Sequence, residues 1–468
     1  MTRFRMIVLV MAPLITVLVL VLDLRIGGKG AVRAATVWGA PPARGLSVAN
    51  LQIVTFLDDR GVREAVPVSH VTFTATEVAT GKKTEIVADT SSDGVLEVAV
   101  PTSGPSAELR VVVTAPGESR PIAEGTFVLP KGPFGPKDRI ANPARATKRT
   151  GTFLVDLFVT DERLVVGYPV PTVVRVRSAG GEPIDGAEIV VTPEPGLDAE
   201  PFSRTCKAGY AFGNLKALFH TVGLTVSART PDGKEATIFT ALPVAQGAYY
   251  VDAAREIAPN TPFAVTVRAP AVRTVAYAEI DDAEGRAFGT TLALTNDPLG
   301  PSAAFLGPGL PEGLYWIVTS GDPRGAERIE GSTVARALRV GVGKGGRKDV
   351  TQEASCDERA DLAMHPGDGF VRTELLDGLP QRRRDDTWRE HLGVFIALVG
   401  LLAAAVIETL LALQVIREAR DTIEGAVREA EGDAATITKR SSAGSVAVGI
   451  AIVVLGFALL AVLLVWKA

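Results

Sequence analysis

A long apolar run in the last fifth of this sequence limits what the chain can fold into. Residues 392–416 contain a single ionisable side chain, Glu408. A helix needs about 20 consecutive apolar residues to cross the hydrocarbon core of a bilayer, and backbone groups in lipid must bond within their own segment. The segment 391–416 is therefore predicted to be a transmembrane helix. A second run without charge, 446–466, predicts a second helix that completes a membrane hairpin.

A third apolar segment, Met6 to Leu22, follows two arginines at the N-terminal end. The small residues Ala31–Ala35 offer a signal-peptidase cleavage site, but polar residues separate them from the apolar core. We interpret residues 1–35 as either a cleaved signal peptide or a retained signal anchor. Either one exports the part of the chain that follows.

Composition and motif spacing argue against several classes of function. The net charge of −4 gives no basic field for nucleic acid, so no nucleic-acid partner is predicted. The four histidines lack the spacing of a zinc helix, and no Gly-x-Ser-x-Gly elbow or Cys-x-x-Cys pair occurs. We therefore predict no catalytic residues, no metal, no cofactor and no enzymatic activity.

The middle of the chain reads as strands and turns. Residues 152–160, TFLVDLFVT, alternate apolar and polar side chains, which is the period of a half-buried strand. Turn signals such as SSDG at 91–94 and PDGK at 231–234 separate such segments, because Asp-Gly supplies a positive φ at low cost. Strands at this spacing are typical of antiparallel β-sandwiches.

Shifts in composition divide the chain into predicted domains. A linker rich in Pro, Gly and basic residues is predicted at 131–150, and a polar juxtamembrane tether at 344–390. Between the two membrane helices, 417–445 shows a narrow apolar stripe at helical spacing, so we expect a cytoplasmic helical loop that is either amphipathic and self-associating or simply solvated. The predicted β-sandwich modules are 45–130, 151–245 and 246–343.

The second module carries a family resemblance. The stretch TDERLVVGYPVPTVVRVRSAGGEPIDGAEIVVTPEPG, residues 160–196, resembles the repeating sandwich module of the macroglobulin family and other bacterial immunoglobulin-like domains. The match centres on Pro183–Ala187, a Pro-hydrophobic-x-Gly-Ala segment. The thioester motif of the macroglobulins is absent, since Cys356 lies in SCDER, so protease trapping is not predicted. The resemblance implies a fold and not an activity.

The same resemblance decides the expected orientation in the membrane. Basic residues flank the apolar runs on both sides, so the positive-inside rule gives no clear result. Modules of this kind are extracytoplasmic. We therefore expect residues 45–390 outside the bacterial inner membrane, in the periplasm or beyond, with the 417–445 loop in the cytoplasm.

Several membrane residues are candidates for specific contacts. Glu408 lies near the cytoplasmic end of its helix, where a carboxylate costs less than at the midplane, so we expect a polar contact within the hairpin or between subunits rather than a proton relay. Glycines seven residues apart either pack the helices closely, allowing self-association, or are ordinary membrane glycines. These are Gly393, Gly400, Gly449 and Gly456.

Outside the membrane, two further sets of residues are candidates. Cys206 and Cys356 either form a disulfide in an oxidising space or remain two independent thiols. The aromatic residues suited to anchoring a partner are Tyr249, Tyr250, Tyr315 and Trp316, although such residues also fill sandwich cores.

These features predict a membrane-anchored binding or scaffold protein. Its sandwich modules would engage another envelope protein or a glycan. The alternative is a sensory or regulatory membrane component that couples the external modules to a cytoplasmic partner through residues 417–440.

Overall fold

The computed structural model describes most of the chain between residues 31 and 384. It omits 60, 132–133, 136–140, 161–162, 220, 270–271, 299, 324–332, 343–353, 366 and 368–369. Beyond 384, the described positions are 395, 399, 402, 406, 410, 413–414, 417–418 and 420–424. Residues 33–58 and 63–379 belong to one packed unit, and residues after 379 to another.

Module 1 is a sandwich of two sheets. One sheet has the order β27-β1-β2-β3 with β6 also on β2, where β27 is Thr373–Asp377, and the other has the order β5-β4-β7-β8. Strand β4 shows why the sequence folds this way, because its alternate residues Val71, Phe73 and Ala75 are buried between the sheets. Its strands are β1 Val32–Gly39, β2 Val48–Asp59, β3 Val62–Ala65, β4 Val71–Glu77, β5 Lys83–Ala88, β6 Val95–Pro101, β7 Glu108–Thr114 and β8 Ala123–Val128.

Module 2 follows the same plan. Its sheets have the orders β10-β12-β15-β14 and β11-β17-β16-β13, with β9 added on β17. The predicted PDGK turn closes the β16–β17 hairpin, where Gly233 has a φ of 81° and Arg229 pairs with Glu235. Its strands are β9 Ala146–Gly151, β10 Leu154–Val159, β11 Leu164–Val165, β12 Pro169–Arg177, β13 Glu188–Pro193, β14 Leu197–Ala199, β15 Tyr210–Ala217, β16 Thr221–Arg229 and β17 Glu235–Ala245.

Module 3 pairs a four-stranded sheet, β18-β20-β24-β23, with a five-stranded sheet, β19-β26-β25-β21-β22. Its core contains Val265 and Val267 from one sheet and Ile280 and Ile317 from the other. Its strands are β18 Tyr250–Ala253, β19 Glu256–Ile257, β20 Phe263–Arg268, β21 Val275–Asp281, β22 Arg286–Ala293, β23 Thr295–Asp297, β24 Gly300–Gly307, β25 Gly313–Ser320 and β26 Val334–Val340. The prediction of mainly antiparallel sandwiches is therefore confirmed.

Two elements follow module 3, within the range predicted as a tether. Helix α1 spans Cys356–Ala363, and strand β27 spans Thr373–Asp377. We call residues 355–379 the strap. Its strand pairs with β1, the first strand of module 1.

The described residues after the strap are helical. Residues 379–384 form one helical stretch, and the described positions between 395 and 424 are helical as well. Among all described residues, no helix is long and apolar enough to cross a bilayer. The predicted segments at 1–30 and 446–466, and most of 391–416, lie outside the described residues, as do Glu408 and the four glycines.

Candidate functional site

Modules 1 and 3 meet at a buried junction, where Ala43 from the connection between β1 and β2 packs into the core of module 3. In β21, Ala276, Ala278 and Ile280 pack inside module 3, while the alternate residues face module 1. There the Tyr277 hydroxyl donates to the Asp93 carboxylate over 2.8 Å. Strands β2 and β21 are thus buried on both faces.

Hydrogen bonds to backbone carbonyls tie the two modules together at the same place. The side-chain Nδ2 of Asn50, from β2, donates to the carbonyl oxygen of Ala287 over 2.8 Å. The Arg286 N–H donates to the Pro41 carbonyl over 2.8 Å, and the Ala43 N–H donates to the Arg286 carbonyl over 3.2 Å. The junction is therefore a hydrogen-bonded seam and not a loose contact.

At the centre of the junction lies a network of buried charges, which we call the ionic cluster. The Arg286 guanidinium, 1% exposed, donates to both oxygens of Glu97 over 2.8 and 3.0 Å, and its Nε lies 3.4 Å from Glu279. Arg372, from the strap, forms an ion pair with Glu279 and donates to Gln52 over 3.3 Å. Two arginines and two glutamates thus neutralise each other out of contact with water.

A fifth ionisable group in this cluster, Asp281, has no such partner. It is fully buried, and in the described part of the chain no donor reaches either of its carboxylate oxygens. Burial raises the pKa of Asp281 to about 8, although Arg286 opposes the shift. Burial also raises the pKa of Glu97, but the charge and hydrogen bonds of Arg286 outweigh it and leave the pKa below its usual value. At neutral pH the cluster therefore holds two ion pairs and one neutral acid.

The strap connects all three modules. Helix α1 begins at a capping box in which the Ser355 hydroxyl accepts from Glu358 N–H and the Glu358 side chain accepts from Ser355 N–H. Its Ala360 and Ala363 pack on Phe158 and Val173, on the outer face of module 2. The Asp361 carboxylate accepts from Arg339 of module 3 over 2.6 Å. The helix thus bridges two modules.

A disulfide joins the strap to module 2. Cys206, just before β15, is bonded to Cys356, the first residue of α1, with their Cα atoms 6.5 Å apart. Farther along, Phe370 packs against Trp316 of module 3 and against Phe134, which follows module 1, with ring centroids 5.8 and 5.9 Å apart. The strap is therefore held both by a covalent bond and by aromatic packing.

The strap ends as a strand of module 1. In β27, Asp377 pairs with Thr36 and accepts from Arg63 over 2.8 Å. Leu375 fits where Gly39 has no side chain, since a Cβ there would lie 2.6 Å from the leucine Cδ1. Residues from the C-terminal side of module 3 therefore complete the N-terminal sandwich.

A cleft of about 440 Å³ opens where module 2, module 3 and α1 meet. Its floor includes Phe212 and Val173 of module 2, and the Arg359 guanidinium of α1 lies 4.3 Å from the Phe212 ring. On its rim the Asn214 amide donates to Glu200 over 2.5 Å. A lining with an aromatic ring and charged side chains of both signs is suited to binding, and among the described lining residues no nucleophile is paired with a base.

The aromatic residues proposed as anchors lie elsewhere. Tyr249, Tyr315 and Trp316 are buried, and the Tyr249 hydroxyl donates to the Val275 carbonyl over 3.0 Å. Tyr250 is half-buried and stacks on Tyr168, with ring centroids 4.5 Å apart. The structure corrects the binding interpretation for the three buried side chains, because each fills packed space inside the fold, which is the alternative that the sequence left open.

Sequence reasoning did not find the ionic cluster, the strap or the cleft. One signal is present, since polar residues occupy alternate positions of β2 and β21, a pattern that a strand with one face in water also shows. In the described parts of the chain, no group of three or more His, Cys, Asp or Glu side chains is placed to hold a metal ion.

Comparison with known proteins gives similarity to solved structures alone, since no family model and no curated protein matches the chain. Escherichia coli alpha-2-macroglobulin in its native conformation aligns over 68% of this chain and 23% of its own, at 11% identity and a TM-score of 0.19. Invasin, a bacterial integrin-binding protein, aligns over 66% of this chain and 60% of its own, at 10% identity and a TM-score of 0.17. The Escherichia coli adhesin FdeC aligns over 67% of this chain and 99% of its own, at 13% identity and a TM-score of 0.17.

The chain thus spans about a quarter of the length of the macroglobulin and less than two thirds of invasin. The first of these proteins belongs to the macroglobulin family that the sequence resemblance named. At such TM-scores the similarity assigns neither a function nor a partner to this chain.

Proposed function

We propose that this chain is a membrane-anchored, extracytoplasmic binding platform that presents three braced sandwich modules to an envelope protein or a glycan. The observation that supports it is the strap. Residues 355–379 contact every module, and the chain then continues into the apolar run that begins at Leu392. A segment that fastens the modules and precedes a hydrophobic anchor is suited to holding a rigid body at a membrane.

The disulfide supports an extracytoplasmic position. Disulfides persist in oxidising compartments and are rare where glutathione keeps thiols reduced. Cys206 and Cys356 are the two cysteines of the chain, and both are used in this one bond. The modules therefore suit the outer side of the bacterial inner membrane, with residues 417–445 on the cytoplasmic side.

Protease protection tests the proposed topology. Spheroplasts are treated with trypsin and probed with antibodies against module 2 and against residues 417–440. We expect cleavage at Arg382–Arg384, which releases a fragment that carries module 2, while the 417–440 epitope stays intact until the membrane is opened with detergent. Loss of the 417–440 epitope in sealed spheroplasts, with module 2 protected, would show the opposite topology and overturn the proposal.

Site-specific photo-crosslinking tests the binding role of the cleft. A photoreactive amino acid replaces Asn214, on the cleft rim, and in a matched control replaces Lys83, an exposed residue of strand β5. We expect a discrete crosslinked species from position 214 in cells and none from position 83. Equal crosslinking from both positions, or from neither, would contradict binding at the cleft. In a separate pull-down, capture of a cytoplasmic protein by residues 417–440 would favour the sensory alternative.

A further inference from the structure

The ionic cluster has one more acidic group than its two arginines can neutralise. Arg286 is held by Glu97 and lies beside Glu279, and Arg372 is held by Glu279 and Gln52. Asp281 shares the cluster with both glutamates and receives no hydrogen bond from the described residues. A buried ion without a counter-charge is strongly disfavoured, so the packed junction requires Asp281 to be neutral.

The groups around Asp281 come from every element that packs near it. Arg286 lies opposite it on β22, Glu97 approaches from β6 of module 1, and Glu279 precedes it on the same strand. Asp282, the next residue, accepts from the backbone N–H groups of Arg44, Glu284 and Gly285. Its carboxylate is therefore engaged with the backbone and not with Asp281. On β25 the residue paired with Asp281 is Trp316, which carries no charge.

We propose that the junction between modules 1 and 3 is a proton-dependent latch, closed while the Asp281 carboxyl carries its proton and opened when that carboxyl ionises. Opening would separate the two modules, withdraw Ala43 from the core of module 3, break the seam of hydrogen bonds from Ala43 and Arg286, and let water reach Asp281. The proposal goes beyond a binding role, because it gives the platform two arrangements that pH selects between.

The direction of the effect follows from the two states of the carboxyl. In the closed junction the pKa of Asp281 is about 8, whereas a solvated aspartate ionises near pH 4. Between these values each opening event releases one proton. The equilibrium constant for opening therefore rises by up to about tenfold per pH unit from about pH 4 to about pH 8 and levels off above that, where Asp281 is ionised in both states.

Hydrogen–deuterium exchange of the full chain in detergent micelles tests the latch. The N–H groups of Ala43 and Arg286 report opening directly, because each donates to a carbonyl on the other module. The wild type is compared with Asp281→Asn at each pH, so that the chemical pH dependence of exchange cancels. Asp281→Leu serves as a second neutral variant, and Asp252→Asn, an exposed aspartate of module 3, is the matched control.

We expect the exchange rate at Ala43 and Arg286, relative to Asp281→Asn, to rise steeply between pH 5 and pH 8 in the wild type and in Asp252→Asn. Asp281→Leu should stay flat, and the peptide covering β20, inside module 3, should show no such rise in any variant. A wild-type ratio that is independent of pH would overturn the latch. So would a rise in the β20 peptide equal to that at the junction, which would mean that module 3 unfolds as a whole.

Discussion

At the scale of single residues, the charges at the junction do more for specificity than for stability. Arg286 is buried with Glu97 and Glu279, and removing ions from water costs roughly what their mutual attraction returns. Such a cluster penalises any other docking of the modules, because a shifted junction would leave a buried charge without its partner. We infer that it sets the register in which modules 1 and 3 meet.

Breaking the Arg286–Glu97 pair and replacing it as a whole should have different effects on stability. Arg286→Met should lower the free energy of unfolding by about 3–5 kcal/mol, because it leaves Glu97 buried and uncompensated. The double variant Arg286→Met with Glu97→Met should recover much of that loss. Urea denaturation of the full chain in micelles measures both. If the double variant loses as much free energy of unfolding as the two single variants lose together, a charge-pairing role is contradicted.

The backbones of modules 1 and 3 approach each other closely at Gly285, in the same junction. A Cβ on Gly285 would fall on the carbonyl oxygens of Pro41 and Pro42, and backbone atoms cannot move aside as a flexible side chain can. Gly285→Ala should therefore cost about 1–3 kcal/mol of stability. Gly104→Ala is the control, because it meets nothing within 4 Å and has no positive φ, and its effect should stay within about 0.5 kcal/mol. Equal thermal midpoints for the two variants would argue against a tight seam.

At the scale of elements, the helix and the strand of the strap are the elements least predictable from the sequence. Its residues are polar and follow a glycine-rich stretch, which favours a loop when the segment is read in isolation. Helix α1 is short, with its apolar residues Ala360, Leu362 and Ala363 meeting partners that lie far away in sequence. Strand β27 has only five residues and depends on β1 for its hydrogen bonds. Neither element carries a local sequence pattern strong enough to predict it, because the polar composition favours a loop.

The disulfide should make a measurable contribution to holding the strap. Cys356→Ser should lower the free energy of unfolding by about 2–5 kcal/mol, since the bond closes a large loop and restricts the unfolded chain. Cys206→Ser should have the same effect, and the two should not add. Thermal unfolding with and without dithiothreitol is the measurement. A midpoint that reductant lowers in the wild type and leaves unchanged in both variants is the expected pattern, whereas an equal response of all three would contradict it.

At the scale of the whole molecule, the sequence predicted what depends on local pattern and failed where distant residues meet. Alternation and Asp-Gly turns were enough to predict antiparallel sandwiches. The burial of Glu279 and Asp281 was not predictable, because their polar alternation looks the same whether the second face of a strand meets water or another module. The choice between an anchor and a core residue for Trp316 stays open in the sequence for a related reason, since the ring that covers it is Phe370, in the strap.

We propose that an extracytoplasmic strap, closed by its disulfide, braces the three modules. The most direct test is the redox state of Cys206 and Cys356 in living cells. Cells are quenched in acid, denatured, and treated with a thiol-reactive polyethylene glycol, with and without prior reduction. We predict no shift in gel mobility without reductant and a shift from two labelled cysteines after reduction. Double labelling without reductant would mean that both thiols are free in the cell, and it would contradict both the closed strap and the oxidising compartment.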